Sequence, residues 1–281
     1  MYTLLNIYQI YKLKMKATIN NAKDFYKLLN FISQWQTEIR MFCTPENLSI
    51  ITMSQCSTVF IDSVLPSTYF DSYDCEIEQP IGLNLNVVLA ALKQCTPKDK
   101  LCISTTDPKL DVDGSIIEAT DTITFSILKP DGDSMTFEIK QMDITIDSLE
   151  VPPMDEDVTI KLHPLYLKKW KTVVDFTKSS IKFIPSKTLL RVESEDKIVG
   201  SVRAIQPVPS GGIEYINFAS DSAPLSVGAN NIKKCFSIGE VSDDVQFGYK
   251  NNLPIRFEAS IGDGYVRVYT APMIDDGMDE D

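Results

Sequence analysis

Residues 48–95 read LSIITMSQCSTVFIDSVLPSTYFDSYDCEIEQPIGLNLNVVLAALKQC. The stretch opens on Leu48-Ser49-Ile50, whose apolar–polar alternation is the period of a half-buried antiparallel strand. It closes on NLNVVLAALKQC, which lays an apolar stripe along one side of a helix. The strand pattern recurs outward in both directions, at Ile39-Arg40-Met41-Phe42-Cys43, Thr122-Ile123-Thr124-Phe125-Ser126-Ile127, Thr136-Phe137-Glu138-Ile139-Lys140, Val245-Gln246-Phe247 and Ile255-Arg256-Phe257-Glu258. Helices are expected only at 22–34, 84–95, 164–176 and 227–237, each short and one-sided. The chain is therefore predicted to be a strand-dominated α+β protein.

A shift of 142 positions lays Phe25 on Leu167, Ile39 on Ile181, Phe42 on Ile184, Leu48 on Leu190, Ile50 on Val192 and Leu83 on Leu225. A constant offset over that span points to two copies of one fold, although alternating patterns align easily and chance repetition stays open. The expected halves are 15–140 and 158–281, preceded by an extension at 1–14. They are joined by 141–157 (QMDITIDSLEVPPMDED), an acidic surface connector that cannot continue a sheet through Pro152 and Pro153.

Twenty-seven Lys and Arg face 39 Asp and Glu, a net charge of −12. As an average this argues against nucleic acid or anionic lipid as partners. The distribution argues otherwise. The four helical segments hold Lys23, Lys27, Lys93, Lys168, Lys169, Lys171, Lys233 and Lys234 against Asp24 and Asp175, a net of +6, which leaves −18 elsewhere. Lys23/Lys27 and Lys168/Lys171 lie a turn apart, away from the apolar stripes Phe25, Leu28, Leu29, Ile32 and Leu167, Trp170, Val173, Val174. Such lysines fit either solvated faces or, if the helices share one surface, a basic track for a polyanion. Lysine is a point charge suited to phosphate, so contact with the backbone without sequence preference is expected.

The six cysteines are scattered singly, without a CxxC pair or partnering histidines, so reduced and mostly buried thiols are expected and no metal site. No apolar run reaches the ~20 residues of a membrane span, and 1–14 lack a signal-peptide cleavage site, so the sequence reads as soluble and intracellular. No nucleophile–base set is visible. His163 is the only histidine, and the Asp-Gly pairs at 131–133 and 262–264 are hairpin-turn chemistry, so no enzyme and no cofactor are expected.

Three stretches resemble the proliferating cell nuclear antigen (PCNA) family of DNA sliding clamps over about 15–281. In 48–95 these are the strand ending near Met53, the pattern Phe70-x-x-Tyr73-x-Cys75 and the Gly82-Leu83-Asn84-Leu85 lead-in to the second helix. The others are FEIKQMDITIDSLEVP at 137–152 and LPIRFEASIGDGYVRVYTAPMIDDG at 253–277. The resemblance implies a replication factor of the nucleus, or of a viral replication compartment in the cytoplasm if the chain is viral. It would form a homotrimeric ring whose helices line a hole around double-stranded DNA, with sheets outside, opened by a separate ATP-driven clamp loader. It implies partners (DNA polymerase, clamp loader, flap endonuclease, DNA ligase) docking through a short apolar and aromatic peptide. Their pocket would comprise Met53, Phe60, Leu149, Val151, Pro152, Pro254, Tyr269, Ala271 and Pro272. It also implies subunit contacts between about 134–140 and 192–203, carried by Phe137, Ile198 and Val202, with Phe137 fitting the core equally well. Departures from the family pattern are the extension at 1–14, a longer loop at 106–120, Ser57 where a histidine is common, and fewer basic helix residues. A clamp-fold scaffold that recruits partners without encircling DNA is the alternative.

Overall fold

The computed structural model describes residues 15–76, 78–105, 109–110, 116–118, 121–145, 154–219, 224–251 and 253–273. The extension at 1–14, the acidic tail from 274 and most of the 106–120 loop lie outside the described residues.

The chain runs β1 (Met15–Ile19), α1 (Ala22–Ser33), β2 (Glu38–Cys43), β3 (Asn47–Met53), β4 (Val59–Pro66), β5 (Ser72–Cys75), β6 (Gln79–Asn84), α2 (Leu85–Leu92) and β7 (Lys100–Thr105). A two-stranded hairpin, β8 (Lys109–Leu110) and β9 (Ile116–Glu118), lies within the longer loop, before β10 (Thr122–Leu128) and β11 (Ser134–Lys140). The order then repeats: β12 (Val158–Leu162), α3 (Pro164–Thr177), β13 (Ile181–Ser186), β14 (Leu189–Asp196), β15 (Gly200–Pro207), β16 (Ile213–Phe218), β17 (Leu225–Val227), α4 (Ala229–Cys235), β18 (Val245–Tyr249), β19 (Ile255–Ile261) and β20 (Gly264–Thr270).

Sheet topology repeats with the elements. The order β11-β10-β7-β1-β5 of one sheet recurs as β20-β19-β18-β12-β16, and β4-β3-β2-β6 recurs as β15-β14-β13-β17. Burial follows the 142-residue offset: Phe25/Leu167, Ile39/Ile181, Leu48/Leu190, Ile50/Val192 and Leu83/Leu225 are buried pairs, and Phe42/Ile184 is half-buried at both positions. The fold is a two-domain α+β arrangement of antiparallel sheets with four short α-helices among the described residues. Close contacts gather the chain into two compact units. One holds 15–26, Glu38–Ser49 and Leu65–Thr145; the other holds Lys27–Thr37, Ile50–Val64 and the described residues from 154 onward.

Two of the helices, α2 and α3, start at a side-chain cap. Asn84 caps α2 by accepting from the Asn86 amide at 3.0 Å. His163 caps α3 by accepting from Leu165, Pro164 occupies the first turn, and Lys178 closes the helix in the left-handed region at φ 57°. The expected helix at 84–95 ends at Leu92, three residues early, where the chain turns toward Pro97. That at 227–237 is shortened to α4 and followed by a 3-10 turn, Phe236–Glu240. In the second unit the buried Trp170 of α3 lies 5.3 Å from Phe183 of β13 and 6.0 Å from Phe247 of β18, and its indole N–H donates to Gln206 at 3.3 Å. That ring ties the helix to both sheets beneath it. No helix among the described residues is long and apolar enough to cross a membrane.

Candidate nucleic-acid face and docking groove

On α3 the stripe Leu167, Trp170, Val173 and Val174 is buried at 3% exposure or less, which turns Lys168, Lys169 and Lys171 outward into solvent. The Lys169 ammonium lies 4.9 Å from the centre of the Tyr166 ring, and that of Lys23 on α1 lies 4.0 Å from Tyr26. Lys27 is half-buried, and Lys93 is exposed just past α2. The two lysines of α4 are engaged within the chain. Lys233 pairs with Asp175 of α3, and Lys234 donates to the Gln34 carbonyl at 2.8 Å while lying 4.9 Å from the Trp35 ring. The second unit therefore brings the end of α1, α3 and α4 side by side, with Lys168, Lys169 and Lys171 exposed on α3.

The described residues among those expected to receive a partner peptide lie around the β4–β20 ladder of the second unit. Phe60 is directly opposite Tyr269, their ring centres 5.9 Å apart. The β3–β4 hairpin closes where the Ser54 amide donates to the Val59 carbonyl at 2.8 Å, and Met53 and Phe60 flank that closure. The Ala271 amide donates to the Thr58 carbonyl at 3.2 Å, carrying Ala271 and the half-buried Pro272 past the same hairpin. Pro254 leads into β19, whose first residue Ile255 faces Thr270. Leu149, Val151 and Pro152 lie outside the described residues.

Beside these aromatic residues lies a charged network that the sequence did not signal. Cross-strand neighbours form two rows on one face of the sheet: Gly248, Arg256, Tyr269, Phe60, and next to it Gln246, Glu258, Arg267, Asp62. Glu156, 7% exposed at its side chain, accepts two hydrogen bonds from Arg256, from Nε at 2.6 Å and Nη2 at 2.7 Å. Arg256 also pairs with Glu258, which accepts from Arg267 Nε at 2.7 Å. Burial alone would lower the Arg256 pKa, but the Glu156 hydrogen bonds and the charges of Glu156 and Glu258 outweigh it and raise the value. Desolvation raises Asp62, against a hydrogen bond with Tyr265 and the Arg267 charge. Glu156 is not distinguishable in an acidic run by sequence alone; its partner, a hundred residues later, is the missing signal.

Of the residues expected at a subunit contact, Phe137 is half-buried on β11, the outermost strand of its sheet, opposite the buried Phe125. Val202 is half-buried on β15, also outermost, and Ile198 stands 94% exposed in the β14–β15 turn. Of the segment 192–203, only 200–203 lies on the edge strand; 192–196 belongs to the interior β14.

Four cysteines are buried, Cys102 is half-buried, and Cys56 is exposed on the β3–β4 turn. Hydroxyls of Ser54 and Thr58 lower the Cys56 pKa to about 7. Among the described residues no three His, Cys, Asp or Glu side chains gather as metal ligands.

Residues 14–150 match the model of the N-terminal domain of proliferating cell nuclear antigen. The chain is 23% identical to a DNA polymerase sliding clamp of Pyrococcus horikoshii, covering 93% of this chain and 99% of that one. It is equally identical to proliferating cell nuclear antigen 1 of Plasmodium falciparum, covering 94% and 98%, and to proliferating cell nuclear antigen of Caenorhabditis elegans, covering 95% and 99%.

Proposed function

Because this chain is a divergent member of the proliferating cell nuclear antigen family of DNA sliding clamps, which are non-enzymatic processivity factors, we propose that it closes as a homotrimer around duplex DNA and docks replication and repair proteins through a short peptide. The observation that carries the ring is the repeated topology. β20 and β4 pair antiparallel within the second unit, with Val268 opposite Ile61. Their counterparts in the repeat are β11 and β15, each the outermost strand of its sheet. Matching core-facing positions sets Phe137 where Val268 stands and Val202 where Ile61 stands. The junction made once within the chain can then be made again between copies, β11 of one on β15 of the next. That pairing leaves no open edge at either strand, and repeated around a closed ring it is self-limiting.

Lys23 and Lys93 of the first unit and Lys27, Lys168, Lys169 and Lys171 of the second are the lysines that meet DNA phosphates, whereas Lys233 and Lys234 are held in internal contacts. A closed ring needs no specific affinity; weak, salt-sensitive phosphate contacts suffice because linkage is topological. Met53, Phe60, Pro254, Tyr269, Ala271 and Pro272, with Leu149, Val151 and Pro152 of the connector, receive the apolar and aromatic plug of the partner peptide. The partners are DNA polymerase, flap endonuclease and DNA ligase, with loading by a separate ATP-driven loader, and the site of action is the nucleus.

Light scattering and retention on DNA of different topology test this reading. A trimer retained on closed circular DNA and lost from linearised DNA is expected. A monomer indifferent to topology overturns the ring. If that monomer still bound the peptide, it would fit the scaffold alternative.

A further inference from the structure

Glu156 occupies a space that the sheet leaves open for it. Gly248 heads the row that continues through Arg256 and Tyr269 to Phe60, and a Cβ at position 248 would overlap the Glu156 carboxylate. The acid lies flat on the backbone where a side chain would otherwise stand, and its two oxygens take the side-on face of the Arg256 guanidinium. The Thr159 hydroxyl donates to it at 2.9 Å. The surrounding backbone is stitched down as well: Asn217 donates to the Glu156 carbonyl at 2.7 Å, the Asp157 amide donates to Tyr249 at 3.1 Å, and the Ala219 amide donates to Asp157 at 2.8 Å. Arg256, pinned between Glu156 and Glu258, is the direct cross-strand neighbour of Tyr269.

We propose that Glu156 is a positioning residue for the docking groove. Seated over Gly248, it fixes Arg256, and Arg256 holds the Tyr269 ring in place against Phe60 to receive the peptide's plug. This rests on the reading of Phe60 and Tyr269 as the groove for an apolar, aromatic partner peptide. The carboxylate touches no peptide itself. Its effect is on the fraction of molecules whose groove is preformed, and the apparent Kd rises as that fraction falls.

The test is a double-mutant cycle on the full-length chain, read by anisotropy of a labelled synthetic peptide carrying one isoleucine and two phenylalanines on a single turn. Glu156→Ala leaves Arg256 paired with Glu258, so the fold should survive, with the light-scattering mass as its check. Gly248→Ala displaces the same carboxylate without removing any charge. If each substitution leaves about a tenth of the molecules with a preformed groove, each weakens the peptide about tenfold. Because Gly248 acts only through Glu156, the double variant is expected to be no weaker than either single one. An additive loss of about a hundredfold means two unrelated structural defects and overturns the proposal. Phe60→Ala separates the proposal from the reading beneath it. If Phe60→Ala abolishes binding while Glu156→Ala binds as the parent does, the groove stands and the positioning role falls. If Phe60→Ala changes nothing, the groove reading falls and takes this proposal with it.

Discussion

Lys234 of α4 donates to the carbonyl of Gln34 at 2.8 Å, just past the C-terminal end of α1, and the same ammonium lies 4.9 Å from the Trp35 ring. α1 has no basic residue in its own last turn, so this lysine, 200 residues away in sequence, supplies the cation that the helix end favours. Gln34 answers by donating to Ser237 at 2.8 Å. One lysine expected to face DNA is thus committed to holding two helices together.

Lys234→Met is therefore expected to cost about 1 kcal/mol of stability, the scale of one charge-assisted hydrogen bond at a helix end. It should leave the salt dependence of DNA binding unchanged. Lys168→Ala should do the reverse, leaving the thermal midpoint in place and reducing the log–log salt slope by about 0.9, one phosphate contact. Binding isotherms at several salt concentrations and melting curves of both variants check the pair of outcomes. Equal slopes for the two variants would contradict the assignment.

How much of this was legible beforehand depends on distance along the chain. The duplication was readable because core positions repeat at one spacing: Ile39 and Ile181, or Leu83 and Leu225, are apolar for the same reason, burial in equivalent strands. The outward face of α3 was readable because helical period alone separates Lys168 and Lys171 from Trp170. Helix ends were less so: α2 stops at Leu92 although the apolar pattern runs on to Cys95, which is itself buried in the turn that follows. Contacts between residues far apart in sequence were not readable. Nothing in the sequence distinguishes Glu156 from its acidic neighbours, or Lys234 from Lys233, until the fold brings Arg256 and Gln34 beside them.

The edge strands give a prediction about assembly. If β11 and β15 pair as β20 and β4 do, Phe137 and Val202 meet as directly opposed residues. Phe137→Asp buries a lone carboxylate in that contact and should reduce the light-scattering mass from three copies to one, as should Val202→Asp. Combining Phe137→Asp with Val202→Lys puts opposite charges across the ladder and should restore the trimer in part. Recovery by this combination, and not by Phe137→Asp with Ile198→Lys, would establish the register.

Cys56 offers a chemical check on the β3–β4 turn. It is exposed, and the Ser54 and Thr58 hydroxyls bring its pKa down to about 7, so much of it is thiolate at neutral pH. Burial raises the pKa of Cys43, Cys95 and Cys235 and keeps them out of reach. Iodoacetamide at pH 7 is expected to modify Cys56 first in the native protein, seen by peptide mass mapping, and the buried thiols only after denaturation. Ser54→Ala should slow the reaction at pH 7 and have little effect at pH 9.5, where the thiol is ionised in either case.

Asp62 sets a pH dependence on the same sheet. Desolvation raises its pKa against the opposing effects of Tyr265 and Arg267, and Glu258 pushes in the same direction as burial. A carboxyl raised on folding contributes stability below its unfolded value, near 4, and loses that contribution as the pH climbs through the folded value. At pH 7 the ionised side chain therefore weighs against the native state. Asp62→Asn keeps the shape and removes that charge, so its thermal midpoint at pH 7 should exceed the parent's by on the order of 2 °C, the response of a chain this size to a fraction of a kcal/mol. The advantage should shrink as the pH falls toward 4, where the parent's carboxyl is protonated as well. Melting curves from pH 4 to 8 decide the matter. A midpoint for Asp62→Asn below the parent's at pH 7 would mean that attraction to Arg267 outweighs desolvation, and that the second row of the sheet is held together by its charges.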